Sequence, residues 1–303
     1  MNQKMPMEPV LCPICESGQR RPKYEISGFN LVACGQCSLV YMNPMPTAIA
    51  LESLYDGRYF EGQGFDASVD YLRELREAPA AEVARQKMKL NDIRRLLKTG
   101  SPTPTLMDVG CGCGFFLRTA RDEGFNSRGI DLSSEACAVV QGELGIPCHQ
   151  GGALDGLRSM RTASADAITM IEVLEHLSQP VAVMREALRV LKPGGVLFLQ
   201  TGNIASPKAR LKGRQWDYFT LPGHICYYTP HSAAELLKNA GFTWAAVAPP
   251  RLFHDGSKAY RGLERLGLLH TPLRPAVDFL LNIRERLLSP GLFIYGRKES
   301  PWN

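Results

Sequence analysis

The chain has 303 residues, of which 45% are hydrophobic and 21% charged, values typical of a folded globular protein. Its net charge of +5 is mild, and its Lys and Arg residues do not form a basic stripe, which disfavours a nucleic-acid partner. The sequence has neither an apolar run long enough to span a bilayer nor the apolar core of a signal peptide, so a cytoplasmic protein with no membrane partner is predicted.

The first 45 residues carry two pairs of cysteines. Cys12 and Cys15 form one CxxC motif, Cys34 and Cys37 form the second, and eighteen residues separate the pairs. Each pair can place two thiolates on one tight turn, and two such turns complete a tetrahedron around Zn²⁺. A shell of four cysteines leaves no open coordination position, so the spacing predicts a structural zinc ribbon over residues 1–45. Two redox-active pairs, or a chance arrangement, are the alternatives.

Residues 46–100 are predicted to form a helical connector, because residues 80–97 place apolar side chains at helical spacing. From residue 105 onward, strand-like runs alternate with helical patterns, which is typical of a parallel sheet with helices on both faces. The predicted strands are 105–109, 127–131, 147–150, 165–171, 196–201, 244–247 and 292–295. The predicted helices are 115–123, 134–144, 180–191, one that starts at Pro230 and ends at Gly241, and a helical insertion at about 250–290.

A glycine-rich turn, DVGCGCG, follows the first of these strands and opens the first helix. Gly110, Gly112 and Gly114 allow positive φ angles and a close approach of a ligand to the backbone. A dinucleotide-binding turn needs its third glycine five residues after the first, whereas here it comes four residues after. Asp108, two residues before the first glycine, suits a cationic ligand better than a diphosphate.

This turn resembles the first motif, D/E-x-G-x-G-x-G, of the class I S-adenosylmethionine-dependent methyltransferases. The resemblance implies an α/β fold with a Rossmann-like, seven-stranded, mostly parallel sheet. Residues 101–303 would form the methyltransferase domain, and residues 46–100 would cover the cofactor site. The resemblance also implies that Asp108 and the three glycines shape the loop around the methionine part of the cofactor.

Other segments extend the resemblance. Asp131 ends the second strand, 23 residues after Asp108. The resemblance implies that its carboxylate binds the ribose hydroxyls of the cofactor. An acidic residue at about this distance has the same role in dinucleotide-binding folds. Residues 152–154 correspond to the segment that flanks adenine in the family. The predicted cofactor contacts beyond the turn are Asp131, Leu132, Ala153, Leu154, Glu172 and Tyr59, the last closing over the cofactor from the N-terminal side.

An acidic and histidine-containing set follows the fourth strand. Glu172, Glu175 and His176 lie in EVLEHL, and His224 lies in the later segment PGHICYY. This pattern is similar to that of the ubiquinone-pathway O-methyltransferases and of the small-RNA 2′-O-methyltransferases, in which the matching residues hold a divalent metal beside the acceptor hydroxyls. Four hypotheses stay open: a second divalent metal, a carboxylate that only frames the cofactor pocket, histidines that satisfy local hydrogen bonds, and a histidine general base. The candidate catalytic residues are His224, then His176, and Glu172.

The acceptor pocket is expected to involve aromatic residues next to His224, although each of them suits the hydrophobic core equally well. They are Trp216, Tyr218, Tyr227 and Tyr228. The N-terminal half resembles a bacterial type that joins a ribbon to this domain and often acts on secondary metabolites or surface sugars.

The predicted function is therefore methyl transfer to the oxygen or carbon of a small-molecule acceptor. An RNA methyltransferase that recognises its substrate through the ribbon, a non-catalytic cofactor-binding scaffold and a nicotinamide-dependent dehydrogenase are the alternatives. The sequence leaves the oligomeric state open, with a homodimer among the options.

Overall fold

The structure is a computed structural model that describes residues 5–54, 71–248 and 291–299. Two sequence-based predictions, the closure by Tyr59 and the helical insertion at 250–290, concern residues outside these ranges. In the described part, the chain forms a four-stranded sheet, a two-stranded sheet and a seven-stranded sheet.

The four-stranded sheet belongs mostly to the N-terminal segment. Its strands are β2 (Arg20–Ile26), β3 (Phe29–Cys34), β4 (Val40–Met42) and, from the far end of the chain, β11 (Cys226–Tyr227). All are antiparallel, in the order β11-β4-β3-β2. The short strands β1 (Met7–Glu8) and β5 (Met45–Pro46) pair with each other. The pairing of β4 with β11 joins the cysteine-rich segment directly to the second half of the chain.

A seven-stranded, mostly parallel sheet forms the centre of the molecule and confirms the predicted fold class. Its strands are β6 (Thr105–Val109), β7 (Asn126–Asp131), β8 (Cys148–Gln150), β9 (Ala165–Ile171), β10 (Leu191–Gly202), β12 (Trp244–Ala248) and β13 (Gly291–Arg297). Their order is β12-β13-β10-β9-β6-β7-β8, and only β13 runs antiparallel to its neighbours. The carboxyl ends of β6, β7 and β9 therefore meet at one edge, where ligands bind in open α/β sheets.

The described helices are α1 (Ala48–Glu52), α2 (Tyr71–Glu77), α3 (Ala80–Leu96), α4 (Phe115–Asp122), α5 (Ser134–Gly142), α6 (Ala153–Ser159), α7 (Pro180–Val190), α8 (Pro207–Lys212) and α9 (Pro230–Ala240). Local sequence sets their ends. The Ser133 hydroxyl accepts a hydrogen bond from Ala136 N at 3.1 Å and caps α5. Thr229 caps α9, and Gly241, with φ of 98°, ends it.

Most predicted elements are confirmed to within a few residues. The exception in length is β10, which starts at Leu191, five residues earlier than predicted, and whose pairing with β9 is irregular between Leu191 and Val196. The helices α6 and α8 were not predicted, since each is short. None of the helices in the described ranges is long and apolar enough to cross a membrane.

One hydrophobic core unites the N-terminal segment with the central sheet. Leu39 and Met42 belong to the same buried cluster as Ile168 on β9 and Leu199 on β10. A backbone hydrogen bond of 2.9 Å from Met42 N to the carbonyl oxygen of Ile225 reinforces this contact. The N-terminal segment therefore packs against the loops that follow the central strands.

Candidate active site

The glycine-rich turn connects β6 to α4 at the carboxyl edge of the sheet. Gly110, Gly112 and Gly114 have φ angles of 72°, 51° and 84°, a region that favours glycine. A Cβ atom at position 110 would lie 2.4 Å from Val173 Cγ2, so the turn has no room for a side chain there. Gly110 and Gly112 line a cavity of about 520 Å³, and Gly114 caps α4.

Asp131 ends β7 beside this turn and lines the same cavity. Its Oδ2 accepts a hydrogen bond from Gly112 N at 2.7 Å, and its Oδ1 accepts one from Ser133 N at 2.9 Å. These bonds fix the carboxylate and leave each oxygen with further acceptor capacity. Two acceptor oxygens held side by side suit a pair of vicinal hydroxyls.

The cavity wall is mostly acidic and apolar. Leu132, Ala153 and Leu154, which were predicted as cofactor contacts, lie on it. Its acidic residues are Glu74, Glu82, Asp131, Asp155 and Glu172. Lys89 is the one lysine or arginine among the described lining residues. The wall therefore suits a cationic ligand that also carries one anionic group.

Lys89 reaches the cavity from α3 and was not predicted from the sequence. Its side chain is buried, and its Nζ donates a hydrogen bond to Gln86 Oε1 at 2.9 Å. Burial lowers the pKa of Lys89 to about 8, while the nearby carboxylates of Glu172 and Asp108 oppose this shift. The available signal was the spacing of Gln86, Lys89 and Ile93, which places two polar residues on the buried stripe of the helix.

Asp108 is buried within β6 and is not among the residues that line the cavity. It accepts a hydrogen bond of 2.5 Å from the Thr169 hydroxyl on β9. Burial raises the pKa of Asp108 to about 7, although the Thr169 bond and the Lys89 charge oppose the shift. Its position under the turn suits a residue that shapes the loop rather than one that contacts the ligand.

The carboxyl groups of Glu172, which lines the cavity, and Glu175 both contact the hydroxyl of Tyr218. Glu172 follows β9 with a φ of 55°, an unusual value for a residue other than glycine. Its Oε1 accepts a hydrogen bond from Gln200 Nε2 at 2.7 Å, and its Oε2 accepts one from the Tyr218 hydroxyl at 2.6 Å. The same hydroxyl also contacts Glu175 Oε1. One hydroxyl has a single hydrogen, so both contacts are satisfied when one of the carboxyls carries a proton.

Burial has a strong effect on both carboxyl groups. It raises the pKa of Glu172 to about 7, and the charge of Glu175 adds to this rise. The pKa of Glu175 is also raised by burial, while hydrogen bonds from Tyr218 and Thr201 lower it. The pair therefore holds a proton, or a cation in its place, near neutral pH.

Two imidazoles face Glu175. The Nδ1 atoms of His176 and His224 lie 2.9 Å from the carbonyl oxygen of Gly223 and 2.8 Å from that of Tyr218. A carbonyl only accepts, so each Nδ1 carries a hydrogen, and in the neutral form of either ring the lone pair is on Nε2. Both Nε2 atoms lie 4.0 Å from Glu175 Oε1.

The structure brings together three of the four residues predicted for a second metal. One ligand atom from each of Glu175, His176 and His224 lies within 4.8 Å of the others. Glu172 is not part of this group. A histidine whose other nitrogen is fixed by a carbonyl is the usual form of a metal ligand, and it is equally suited to act as a base.

The aromatic residues predicted for the acceptor pocket fall into two groups. Trp216, Tyr227 and Tyr228 are buried in the hydrophobic core and do not line the cavity. Tyr218 instead contacts both glutamates through its hydroxyl. Tyr227 also reaches the cluster, because its hydroxyl donates a hydrogen bond to the backbone carbonyl oxygen of His224 at 2.8 Å.

The four N-terminal cysteines form one compact group. Cys12 Sγ lies 3.4 Å from Cys37 Sγ, and Cys15 Sγ lies 3.5 Å from Cys34 Sγ. All four sulfur atoms lie within 4.8 Å of one another. Tetrahedral Zn²⁺ with bonds of about 2.3 Å separates its sulfur ligands by roughly 3.8 Å, so the group fits this ion.

The sequence matches a family described as a methyltransferase domain over residues 71–247, more than half of the chain. The ubiquinone biosynthesis O-methyltransferase of Xanthomonas oryzae pv. oryzae is 35% identical over 147 residues, which are 45% of this chain and 61% of that protein. The enzyme of the same name from Cupriavidus pinatubonensis is 29% identical over 146 residues, which are 45% of this chain and 59% of that protein. The chain thus spans less than two thirds of the length of these relatives.

A solved structure shares the fold. The S-adenosylmethionine-dependent methyltransferase from Archaeoglobus fulgidus superposes with a TM-score of 0.51 at 17% sequence identity. The superposition covers 75% of this chain and 99% of that protein. At this identity the likeness concerns the arrangement of strands and helices.

Proposed function

The chain belongs to the methyltransferase domain family, with the class I fold, and we propose that it transfers a methyl group from S-adenosylmethionine to a small-molecule acceptor. One observation carries the proposal. The carboxylate of Asp131 is held by Gly112 N and Ser133 N in the wall of a cavity that the glycine turn also lines.

The residues of the cavity fit this cofactor. Asp131 would accept hydrogen bonds from the ribose hydroxyls, with Leu132, Ala153 and Leu154 beside adenine. Gly110 and Gly112 leave room for the methionine part. Lys89 supplies a positive charge for its carboxylate. The buried Gln200 Oε1, which has no partner among the described residues, lies on the same wall and suits its ammonium group.

The electrostatics of the cavity also suit a sulfonium. When bound, S-adenosylmethionine supplies a methyl group that the positive sulfur activates for attack. The acidic wall, with Glu172 next to the turn, favours a cation over a neutral ligand. The protein then contributes mainly alignment, because an in-line attack needs the acceptor atom within about 3–3.5 Å of the methyl carbon.

His224 is our candidate for the group that takes the proton of the acceptor. Its Nε2 lies 4.0 Å from Glu175 Oε1, while the Tyr218 carbonyl fixes the ring through Nδ1. Alternatively, Glu175, His176 and His224 hold a divalent ion, which would lower the pKa of an acceptor hydroxyl and orient its oxygen. Both roles place the acceptor beside the same histidine, and a chelator treatment that leaves the four-cysteine group loaded with zinc distinguishes them.

We propose that the methylated atom is a hydroxyl oxygen of a secondary metabolite or a sugar. The O-methyltransferase relatives favour oxygen as the methylated atom. The mild charge of the chain gives no reason to expect the phosphate contacts of an RNA substrate.

A labelling experiment tests this function. The purified full chain is incubated with methyl-labelled S-adenosylmethionine and an extract of the source organism, and labelled products are identified by mass spectrometry. We expect the label in a small molecule, as a methyl ether. Label in RNA would contradict the proposed acceptor class. Intact cofactor binding without label in any fraction would contradict methyl transfer itself.

The affinity for S-adenosylmethionine is expected to rise with pH through neutrality. The pKa of Glu172 is raised to about 7, so the carboxyl is neutral below this pH and anionic above it. Only the anion attracts the sulfonium, so affinity should fall by up to about fivefold from pH 7 to pH 6, as the anionic fraction of Glu172 falls. Isothermal titration at pH 6, 7 and 8 measures this. Glu172→Gln should remove most of the dependence, and a variant that keeps the full dependence would show that another group causes it.

We further propose that the four N-terminal cysteines bind one structural Zn²⁺. Two backbone hydrogen bonds connect the N-terminal sheet that carries the cysteines to the acidic and histidine-containing cluster. Met42 N donates to the carbonyl oxygen of Ile225, and Ile225 N donates to that of Glu175. Loss of the ion should therefore loosen both the N-terminal sheet and the histidine cluster.

Cys34→Ser is expected to abolish stoichiometric zinc and to lower the melting temperature. A loss of about 4 kcal/mol corresponds to a decrease of roughly 10 °C in a domain of this size. Elemental analysis and thermal unfolding measure both effects. Cys148→Ser, a change at a half-buried cysteine outside the group, serves as the control and should keep one zinc per chain. Full zinc content in the Cys34→Ser protein would contradict the proposal.

A further inference from the structure

Three cysteines outside the zinc group meet beside the glycine turn. Cys111 lies in the turn, Cys137 lies in the first half of α5, and Cys148 opens β8. Cys137 Sγ lies 2.7 Å from Cys148 Sγ, and Cys111 Sγ lies 3.7 Å from it. The closer pair is within about 0.7 Å of the length of a disulfide bond. The cofactor site described above uses none of these thiols.

The backbone leaves room for this arrangement at Gly129. This glycine lies on β7, the strand between the turn and β8. A Cβ atom there would lie 2.7 Å from Cys111 Sγ and 3.1 Å from Cys148 Sγ. Any larger residue at this position would therefore displace the sulfur atoms, and glycine allows the three thiols to converge.

The three thiols differ in acidity and access. Cys111 and Cys137 can both donate to a Cys148 thiolate, and these hydrogen bonds lower the pKa of Cys148. Burial, followed by the contact with Cys148, raises the pKa of Cys137. Cys148 is also half-buried, whereas its two neighbours are buried. The thiolate is the reactive form of cysteine, so an oxidant meets Cys148 first.

We propose that Cys137 and Cys148 form a dithiol site that reacts with hydroperoxides and closes to a disulfide. The Cys148 thiolate attacks the terminal peroxide oxygen and becomes a sulfenic acid, and the other oxygen takes a proton and leaves as water from hydrogen peroxide or as an alcohol from an organic hydroperoxide. The Cys137 sulfur then attacks the Cys148 sulfur, loses its proton and displaces a second water. With hydrogen peroxide, two thiols give one disulfide and two waters. This site is independent of the proposed methyl transfer.

Peptide mapping tests the proposal on the full chain with zinc bound. The protein is treated with hydrogen peroxide, blocked with iodoacetamide under denaturing conditions and digested with trypsin. Cleavage after Arg128 and Arg158 gives one peptide, 129–158, that contains both Cys137 and Cys148. We expect this peptide to lose two hydrogen masses and to resist alkylation. Cys113, in peptide 99–118 with Cys111, is the internal control and should remain alkylated.

Two variants sharpen the test. In Cys148→Ser the disulfide should be lost, and Cys137 should stay alkylatable. In Cys137→Ser, the reagent dimedone should trap a sulfenic acid on Cys148. Circular dichroism identifies any variant that fails to fold, and Cys→Ala then replaces it. A wild-type peptide 129–158 that stays fully alkylated after peroxide would overturn the proposal, and so would a disulfide between 99–118 and 129–158 as the main product.

Discussion

Replacing Asp131 with alanine is expected to raise the dissociation constant for S-adenosylmethionine by about 100- to 1,000-fold, or about 3–4 kcal/mol. The change removes the two oxygens proposed to receive the ribose hydroxyls. It also removes the acceptors of Gly112 N and Ser133 N, so part of the glycine turn loses its fixed position. Isothermal titration of the purified variant measures the affinity, and circular dichroism confirms its fold.

Two further variants separate the role of Asp131 from its effect on folding. Asp131→Asn keeps one side-chain oxygen as an acceptor, so a smaller loss, of about tenfold, is expected. Asp122→Ala removes an exposed carboxylate from the end of α4 and should bind the cofactor as the wild type does. A folded Asp131→Ala protein with wild-type affinity would show that the ribose is not held at this residue.

Replacing His224 with alanine is expected to lower kcat by about 10²- to 10⁴-fold, the usual contribution of a general base. Cofactor affinity should change little, because His224 is not among the residues that line the cavity. Its imidazole is fixed by the Tyr218 carbonyl and faces Glu175, so the loss should concern proton transfer or metal binding at the acceptor. Steady-state kinetics with the acceptor found by labelling, combined with isothermal titration, measure both quantities.

The matched control for His224 is an exposed histidine. His231→Ala changes the first turn of α9 at the surface and should keep both kcat and affinity. His176→Ala distinguishes the two proposed roles. The chelator is used at a concentration that leaves the N-terminal zinc in place, as checked by elemental analysis. If the histidines hold a metal, both active-site variants lose similar activity and this treatment inhibits the wild type. If His224 acts alone as a base, the treatment has no effect. A His224→Ala enzyme that turns over at the wild-type rate would contradict both roles.

The parts of the fold that local sequence determines were predictable. The glycine turn, the capped helix between Thr229 and Gly241 and the strand that ends at Asp131 depend on residues close together in the chain. Short-range backbone preferences and periodicity are sufficient for these elements. The grouping of the four cysteines follows in the same way from two local motifs.

The contacts that complete the site depend on distant segments, and the sequence did not reveal them. The pairing of β11 with β4 joins residues about 185 positions apart, and neither strand is long enough to give a clear alternation. Tyr218 was predicted only as one of several aromatics. Its contact with Glu172 and Glu175 depends on where the segment between α8 and β11 folds back. The role of Lys89 was not predicted either, because a lysine within a helix is normally exposed.

A crystal structure of the full chain with S-adenosylmethionine at saturating concentration tests most directly whether this cavity is the cofactor site. We expect electron density for the donor in the cavity of about 520 Å³, with both ribose hydroxyls on Asp131 and the methionine carboxylate near Lys89. Density for the donor at another place, or an empty cavity despite saturation, would contradict the assignment of this cavity as the cofactor site.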